Sequence, residues 1–332
     1  MAAGTSSPEM DAVPVRVRLT ALLRYTIVFA FVAVFVFLSL QAPSFFTTSN
    51  LLNLLVNNFA LLALVSLGMT LVILTGGIDL SVGSAIDIGS LVFISLVSSH
   101  HPLLVAVFGG LLGALLVGGF NAFLISVLRI TPFLATLGTL FIGESVQQLA
   151  TNGGQPIYLI TGNLPRGFTE IGRESFWGVP VPLCVVAVGI AGFLLLAQRT
   201  RFGREVGAIG AQSGVAWYSG IQVQRTTGLV YLLSALVCGV AGIILSSTVK
   251  AYVPLSGNAY LLDSIGATFI GTTLHAEGRP SVIGTVLGVL LLSIVTNGLL
   301  LIGWNFYWQQ VGTGVLIFLV LAVSFLGRRA RA

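Results

Sequence analysis

Apolar runs long enough to cross a bilayer follow one another along almost the whole chain and leave too little sequence for a separate soluble domain. A helical span needs about 20 predominantly apolar residues, and about ten such segments are present. They are apolar all round, not alternating at the period of two that a membrane β-barrel requires. Only 8% of the 332 residues are charged, against about 25% in soluble domains. The chain therefore reads as an all-α integral membrane protein with about ten transmembrane helices, some broken or half-length.

The segments fall near residues 25–41, 51–74, 84–99, 103–128, 132–150, 183–197, 228–249, 259–274, 281–302 and 306–326. The run at 259–274 is short and carries Asp263, as a half-helix would. The first run lacks a small-residue cleavage site and reads as a retained span. This divides the chain into an N-terminal tail (1–24), a membrane domain (25–326) and a C-terminal tail (327–332), with a polar insert at 198–227 inside the membrane domain. A second polar stretch, 151–182, reads as an exposed loop with a short interfacial piece anchored by Trp177. Cys184 and Cys238 lie in apolar runs and read as small core residues, not a disulfide or metal pair.

The basic residues fix the orientation. With ten spans and both termini cytoplasmic, the cytoplasmic side holds Arg16, Arg18, Arg24, Arg129, Arg199, Arg201, Arg204, Arg225, Arg279, Arg328, Arg329 and Arg331. Only Arg166, Arg173 and Lys250 remain for the other side. That is the positive-inside distribution. The net charge of +5 is explained by topology, so the basic balance implies no nucleic-acid partner.

Residues 76–84 interrupt this pattern. Gly76, Gly77 and Gly83 each cost a helix interior about 1 kcal/mol against alanine. Asp79 facing lipid at mid-bilayer costs about 2.5–3.5 kcal/mol. The helix is expected to break here and turn Thr75, Asp79 and Ser81 toward protein or water. Two readings follow: a polar turn between spans, or a broken helix lining a solute pathway.

The run Gly68-Met69-Thr70-Leu71-Val72-Ile73-Leu74-Thr75-Gly76-Gly77-Ile78-Asp79-Leu80-Ser81-Val82-Gly83-Ser84 closely resembles the signature of ribose-type sugar permeases, the membrane subunits of bacterial ABC importers for monosaccharides, within the branched-chain amino acid/sugar permease superfamily. Ile130-Thr131-Pro132-Phe133-Leu134, Asn121 where the family has a small-Asn-small pattern, Leu262-Asp263-Ser264-Ile265-Gly266 and Ile283-Gly284-Thr285 extend the likeness over about residues 50–324. Two positions depart from the family: Glu144, where many members carry arginine, and His275-Ala276-Glu277-Gly278, where many have a Gly-Gly-x-Gly turn.

The resemblance implies a transport subunit that is not an enzyme, multi-pass in the cell inner membrane among its lipids. It implies an ABC ATP-binding subunit carrying the ATP and magnesium, a periplasmic sugar-binding protein and a second permease copy, identical or related. The chain itself carries no phosphate-binding loop, because its one lysine, Lys250, follows Val249. No cofactor or metal is expected in the chain, and His275 has no ligand partners near it in sequence. An intramembrane enzyme would need a catalytic histidine cluster that the three histidines do not form. The competing function is an ion-coupled secondary sugar transporter using Asp79, Glu144 or Asp263.

The candidate substrate pathway is Asp79 first, with Thr75, Ser81, Asn121, Glu144, Gln147 and Asp263. For each the plain alternative is a helix–helix hydrogen bond worth about 0.6 kcal/mol. In the polar insert, Val215, Trp217, Tyr218 and Ile221 are too apolar for a free loop. The segment Ala208 to Ile221, with Gly210 inside it, is expected to form two turns of helix in its second half, closed by Gly220. It resembles the coupling segment that the ATPase grips.

Overall fold

In the computed structural model, residues 26–160, 164–275 and 277–329 are described. The tail 1–24, Ala276 and the last three residues lie outside them, so the readings made on Arg16, Arg18, Arg24 and Arg331 are not addressed by the structure.

The chain is a helical bundle. In order run α1 (Thr26–Gln41), α2 (Thr48–Leu74), α3 (Val82–Ser98), α4 (Leu103–Val127), α5 (Pro132–Ala150), β1 (Ile157–Tyr158), α6 (Phe168–Arg173), β2 (Ser175–Phe176) and β3 (Val179–Pro180). There follow α7 (Val181–Arg199), α8 (Arg201–Tyr218), α9 (Val223–Val249), β4 (Ala251–Tyr252), α10 (Asn258–Thr272), α11 (Val282–Leu301) and α12 (Phe306–Arg329). Each of the ten apolar segments is helical. Among the described residues five helices, α2, α4, α7, α9 and α11, are long and apolar enough to cross a membrane. At 15 residues α10 is about 22 Å long, short of a hydrocarbon core of about 30 Å.

Helices apolar on every side belong inside. Every residue of α2 from Ala60 to Val72 is buried, and α9 and α11 pack beside it, while α7 lies at the periphery. Two helices contain a wider π turn, Leu54–Phe59 in α2 and Phe123–Val127 in α4. Such turns occur often at functional sites.

The connecting segments gather at two ends. At one end β1 pairs antiparallel with β4, Ile157 opposite Tyr252, and His100 shares a cavity with Tyr158. Near that end Asn50 and Asn297 exchange amide hydrogen bonds of 3.0 and 3.1 Å between α2 and α11. At the other end, a cavity of about 540 Å³ is bounded by Leu74, Gln198, His275 and Ser281. Residues 151–182 are more than an exposed loop: α6 inserts its buried Phe168 against Phe93, and Ser247 donates to the Phe168 carbonyl. Trp177 does stand out, 92% exposed at the β2–β3 turn.

Gly83 does not belong to the helix break. It is the second residue of α3, and its missing side chain makes room for α10. A Cβ on Gly83 would lie 2.6 Å from Asn258 Oδ1, and one on Gly257 would lie 2.3 Å from the Gly83 carbonyl oxygen. The first turns of α3 and α10 thus touch through backbone. Gly257→Ala forces them apart and is expected to lower the apparent melting temperature in detergent by several degrees, matching an overpacking cost of about 1–3 kcal/mol. An unchanged melting curve would refute so close a contact.

Candidate functional site: two buried polar knots and a re-entrant segment

The α2 helix stops at Leu74, with Thr75 Oγ1 donating to the Val72 carbonyl at 2.7 Å. Gly76 follows at φ +86°, a conformation that favours glycine. Gly77 has a different reason: a Cβ there would lie 2.6 Å from the Tyr231 hydroxyl. The chain then runs non-helically to the start of α3 at Val82.

Asp79 sits in this gap, buried. Its Oδ1 accepts from the Ser81 amide at 2.9 Å and the Ser81 hydroxyl at 2.6 Å, and its Oδ2 accepts from Ser234 of α9 at 3.4 Å. Asn121 of α4 donates to Ser81 Oγ at 2.6 Å and accepts from Thr139 of α5 at 2.6 Å. One carboxylate therefore anchors a chain of hydrogen bonds joining the gap to three helices. By helix rise, Asn121 and Thr139 lie roughly 10 Å from the ends of α4 and α5 nearest Arg129. Asp79, Ser81 and Asn121 line none of the cavities bounded by Asp263, His100 or His275.

A second knot holds the segment between β4 and α10. Asp87 of α3 accepts at Oδ1 from the Gly257 amide at 2.8 Å and from Ser256 Oγ at 3.0 Å. Gly257 is the N-cap of α10, so this carboxylate sits where the helix leaves amide donors free and its dipole favours negative charge. Gln147 of α5 accepts from the Leu255 amide at 2.9 Å and the Tyr252 hydroxyl at 3.0 Å. Glu144, one turn earlier, accepts from Asn258 Nδ2 at 2.7 Å. Three side chains on two helices thus take up the donors of a non-helical segment that enters the bundle.

The residues read as a single pathway therefore separate. Asp79, Ser81 and Asn121 form one knot, with Thr75 at its edge; Glu144 and Gln147 belong to the other. Asp263, on the second turn of α10, joins neither and borders a cavity beside α2, α11 and α12. Asp87, Ser234, Tyr252, Ser256 and Asn258 are missing from the sequence-derived set. Asp87 had a legible signal, an unpaired acid inside an apolar run. The others are ordinary polar residues whose partners are distant in sequence.

The polar insert is helical from its start, further than the two expected turns. α8 begins at Arg201, capped by Thr200, and is interrupted at Gln212, which is extended at φ −163° and ψ 98°. Its second piece ends as anticipated at Gly220, φ +83°, where the amides of Gly220 and Ile221 bond back to Trp217 and Ala216 at 3.0 and 3.1 Å. Trp217 and Tyr218 project 57% and 85% exposed, as does Val215, while Ala208 and Ile221 are half-buried. Gly210 rests on the end of α2: a Cβ there would lie 1.8 Å from the Leu74 carbonyl oxygen.

A bundle of apolar helices with inward-turned polar knots, a broken helix and a re-entrant segment is a membrane transport protein. A family model described as "Branched-chain amino acid transport system / permease component" matches residues 50–321. The ribose import permease of Bacillus subtilis (strain 168) is 37% identical over 87% of this chain and 88% of its own length. That of Escherichia coli (strain K12) is 34% identical over 86% and 88%, and the autoinducer 2 import system permease of Yersinia enterocolitica is 34% identical over 82% of each. No solved structure matches the chain significantly. The chain belongs to the ribose-type ABC permease family and is a multi-pass protein of the inner membrane.

Asp87→Ala strands the Gly257 amide and the Ser256 hydroxyl and is expected to cost about 1–3 kcal/mol of stability. Asp87→Asn retains an acceptor oxygen and should cost less. Thermal unfolding of the two variants in detergent checks the order, and equal melting temperatures would contradict it.

Proposed function

We propose that this chain is the membrane-spanning permease subunit of an ABC importer, carrying a monosaccharide or similar small polyol across the inner membrane on ATP hydrolysed by a separate subunit. The observation that carries the reading is the likeness, over 86–87% of the chain, to permeases named for ribose import. The partners are an ATP-binding subunit with its ATP and magnesium, a periplasmic sugar-binding protein and a second permease copy. The chain crosses ten times with both termini cytoplasmic. The two groups of connecting segments support that parity, because β1, β4, His100 and Asn50 all fall on the side expected outside. The membrane domain is 25–326, and 198–227 is the coupling insert.

In this reading the ATP-binding subunit grips Val215, Trp217 and Tyr218, an exposed apolar patch that is otherwise unexplained on a polar insert. Movement of α8 reaches Leu74 through Gly210 and arrives at the gap held by Asp79. The two knots then act as pivots between rigid helices; the solute does not meet Asp79 directly. The chain contributes binding and conformational change, and no catalytic group.

Uptake into vesicles holding the full complex should require ATP and the binding protein and should survive an ionophore. Uptake abolished by the ionophore and indifferent to ATP would instead establish an ion-coupled carrier. Trp217→Glu should release the ATP-binding subunit during co-purification while the melting curve of the permease stays unchanged. Retention of that subunit would remove the patch from the mechanism.

A further inference from the structure

The cavity that Asp263 borders has a lining unlike the rest of the bundle. It measures about 200 Å³, where a single water needs about 10–15 Å³. Asn57, Asn58, Gln309 and Gln310 line it, together with Asp263 and Thr296; the Gln309 amide nitrogen donates to the Trp304 carbonyl at 2.9 Å and that of Asn57 to Asn53 Oδ1. Asn57 and Asn58 lie in the π turn of α2, which breaks the regular helical spacing there. Ser293 also lines the cavity, and its buried hydroxyl has no hydrogen-bond partner in the chain. Tyr260 and Phe306 add aromatic surface. By helix rise, Ser293 and Gln309 lie roughly 5–12 Å from the nearer ends of α11 and α12.

Groups of this kind facing lipid would go unsatisfied. Their chemistry selects an occupant. Amides and hydroxyls both donate and accept, as sugar hydroxyls do, and an aromatic face suits the C–H side of a sugar ring. Among the described residues no lysine, arginine or histidine lines the cavity. An amino acid would bring a carboxylate with no cation to receive it, set beside Asp263, and an anionic solute would meet the same obstacle.

We propose that this cavity, between the π turn of α2, α10, α11 and α12, is a binding site for a neutral polyhydroxylated solute on its way through the permease. The proposal rests on the reading of the chain as a sugar permease and names where that sugar is held. Asp263 and the four amides orient it through hydroxyl hydrogen bonds. The re-entrant segment matters here, because the Asp87 and Gln147 contacts fix the start of α10, and Tyr260 and Asp263 follow within its first two turns.

The test uses the full transporter with Cys184 and Cys238 replaced and Gln310→Cys introduced, or Asn57→Cys where the first variant fails to insert. The introduced thiol is labelled with a membrane-impermeant maleimide. The probes are D-ribose, D-xylose, D-galactose and myo-inositol, each with binding protein and ATP, against L-leucine and sodium alone. One of the polyols should slow labelling about tenfold, and a cysteine at the peripheral Phe318 should label at the same rate throughout. In the same single-cysteine carrier, Asp263→Ala should raise the polyol concentration for half-maximal protection of that thiol about tenfold, equivalent to about 1.4 kcal/mol. Protection by L-leucine or sodium, or by none of the probes, overturns the proposal. If ATP-driven polyol uptake persists without protection, the site is wrong and the function stands. If no uptake responds to ATP and binding protein, the function itself fails.

Discussion

The amide of Gly257 finds its hydrogen-bond partner in the carboxylate of Asp87, and much of the architecture depends on that bond. In the hydrocarbon region there is no water to satisfy a backbone donor, so a non-helical segment survives only where side chains take its place. Residues 251–258 leave the β1–β4 pairing and enter the bundle as irregular chain. Asp87, Gln147 and Glu144 receive the donors that this segment would otherwise bury unpaired. Without them the start of α10 would carry free amides into an apolar interior. The Glu144 carboxylate accepts from the Asn258 amide at 2.7 Å, at the first residue of α10.

The gap after α2 solves the same problem differently. Asp79 folds back on Ser81, so the break satisfies part of its own backbone, and Asn121, Thr139 and Ser234 tie it to three helices. Such a pin transmits displacement well. Gly210 touches the Leu74 carbonyl at one end of the gap, and the Gly83–Gly257 contact lies at the other. A push on α8 therefore has a short route, through backbone contacts, to the start of α10 and the wall bearing Asp263.

Much of this was legible from residues alone. The apolar runs coincide with helices, five of which among the described residues are long and apolar enough to cross a membrane, because burial in lipid demands regular backbone and about 20 apolar residues per crossing. Gly76, Gly77 and Asp79 mark the break, since glycine and acid in succession are costly inside a lipid-facing helix. Gly220 marks the end of α8 through its left-handed conformation. The candidate residues divide between two hydrogen-bonded knots and one cavity wall. Asp79 and Glu144 share the quality of being intramembrane acids, but hydrogen-bond partners decide what each does, and those partners lie on other helices.

The sequence by itself determined that the chain lives in a membrane, roughly where its apolar helices fall, and which family it joins, because those depend on local composition and contiguous motifs. Only the tertiary structure decided that Gly83 is a contact and not a break, that Asp87 caps a helix 170 residues away, and that Asp263 stands with Asn57 and Gln310 around one cavity. Such outcomes depend on which helices approach within hydrogen-bonding distance, and helix–helix approach is set by packing across the whole bundle, which no local pattern encodes.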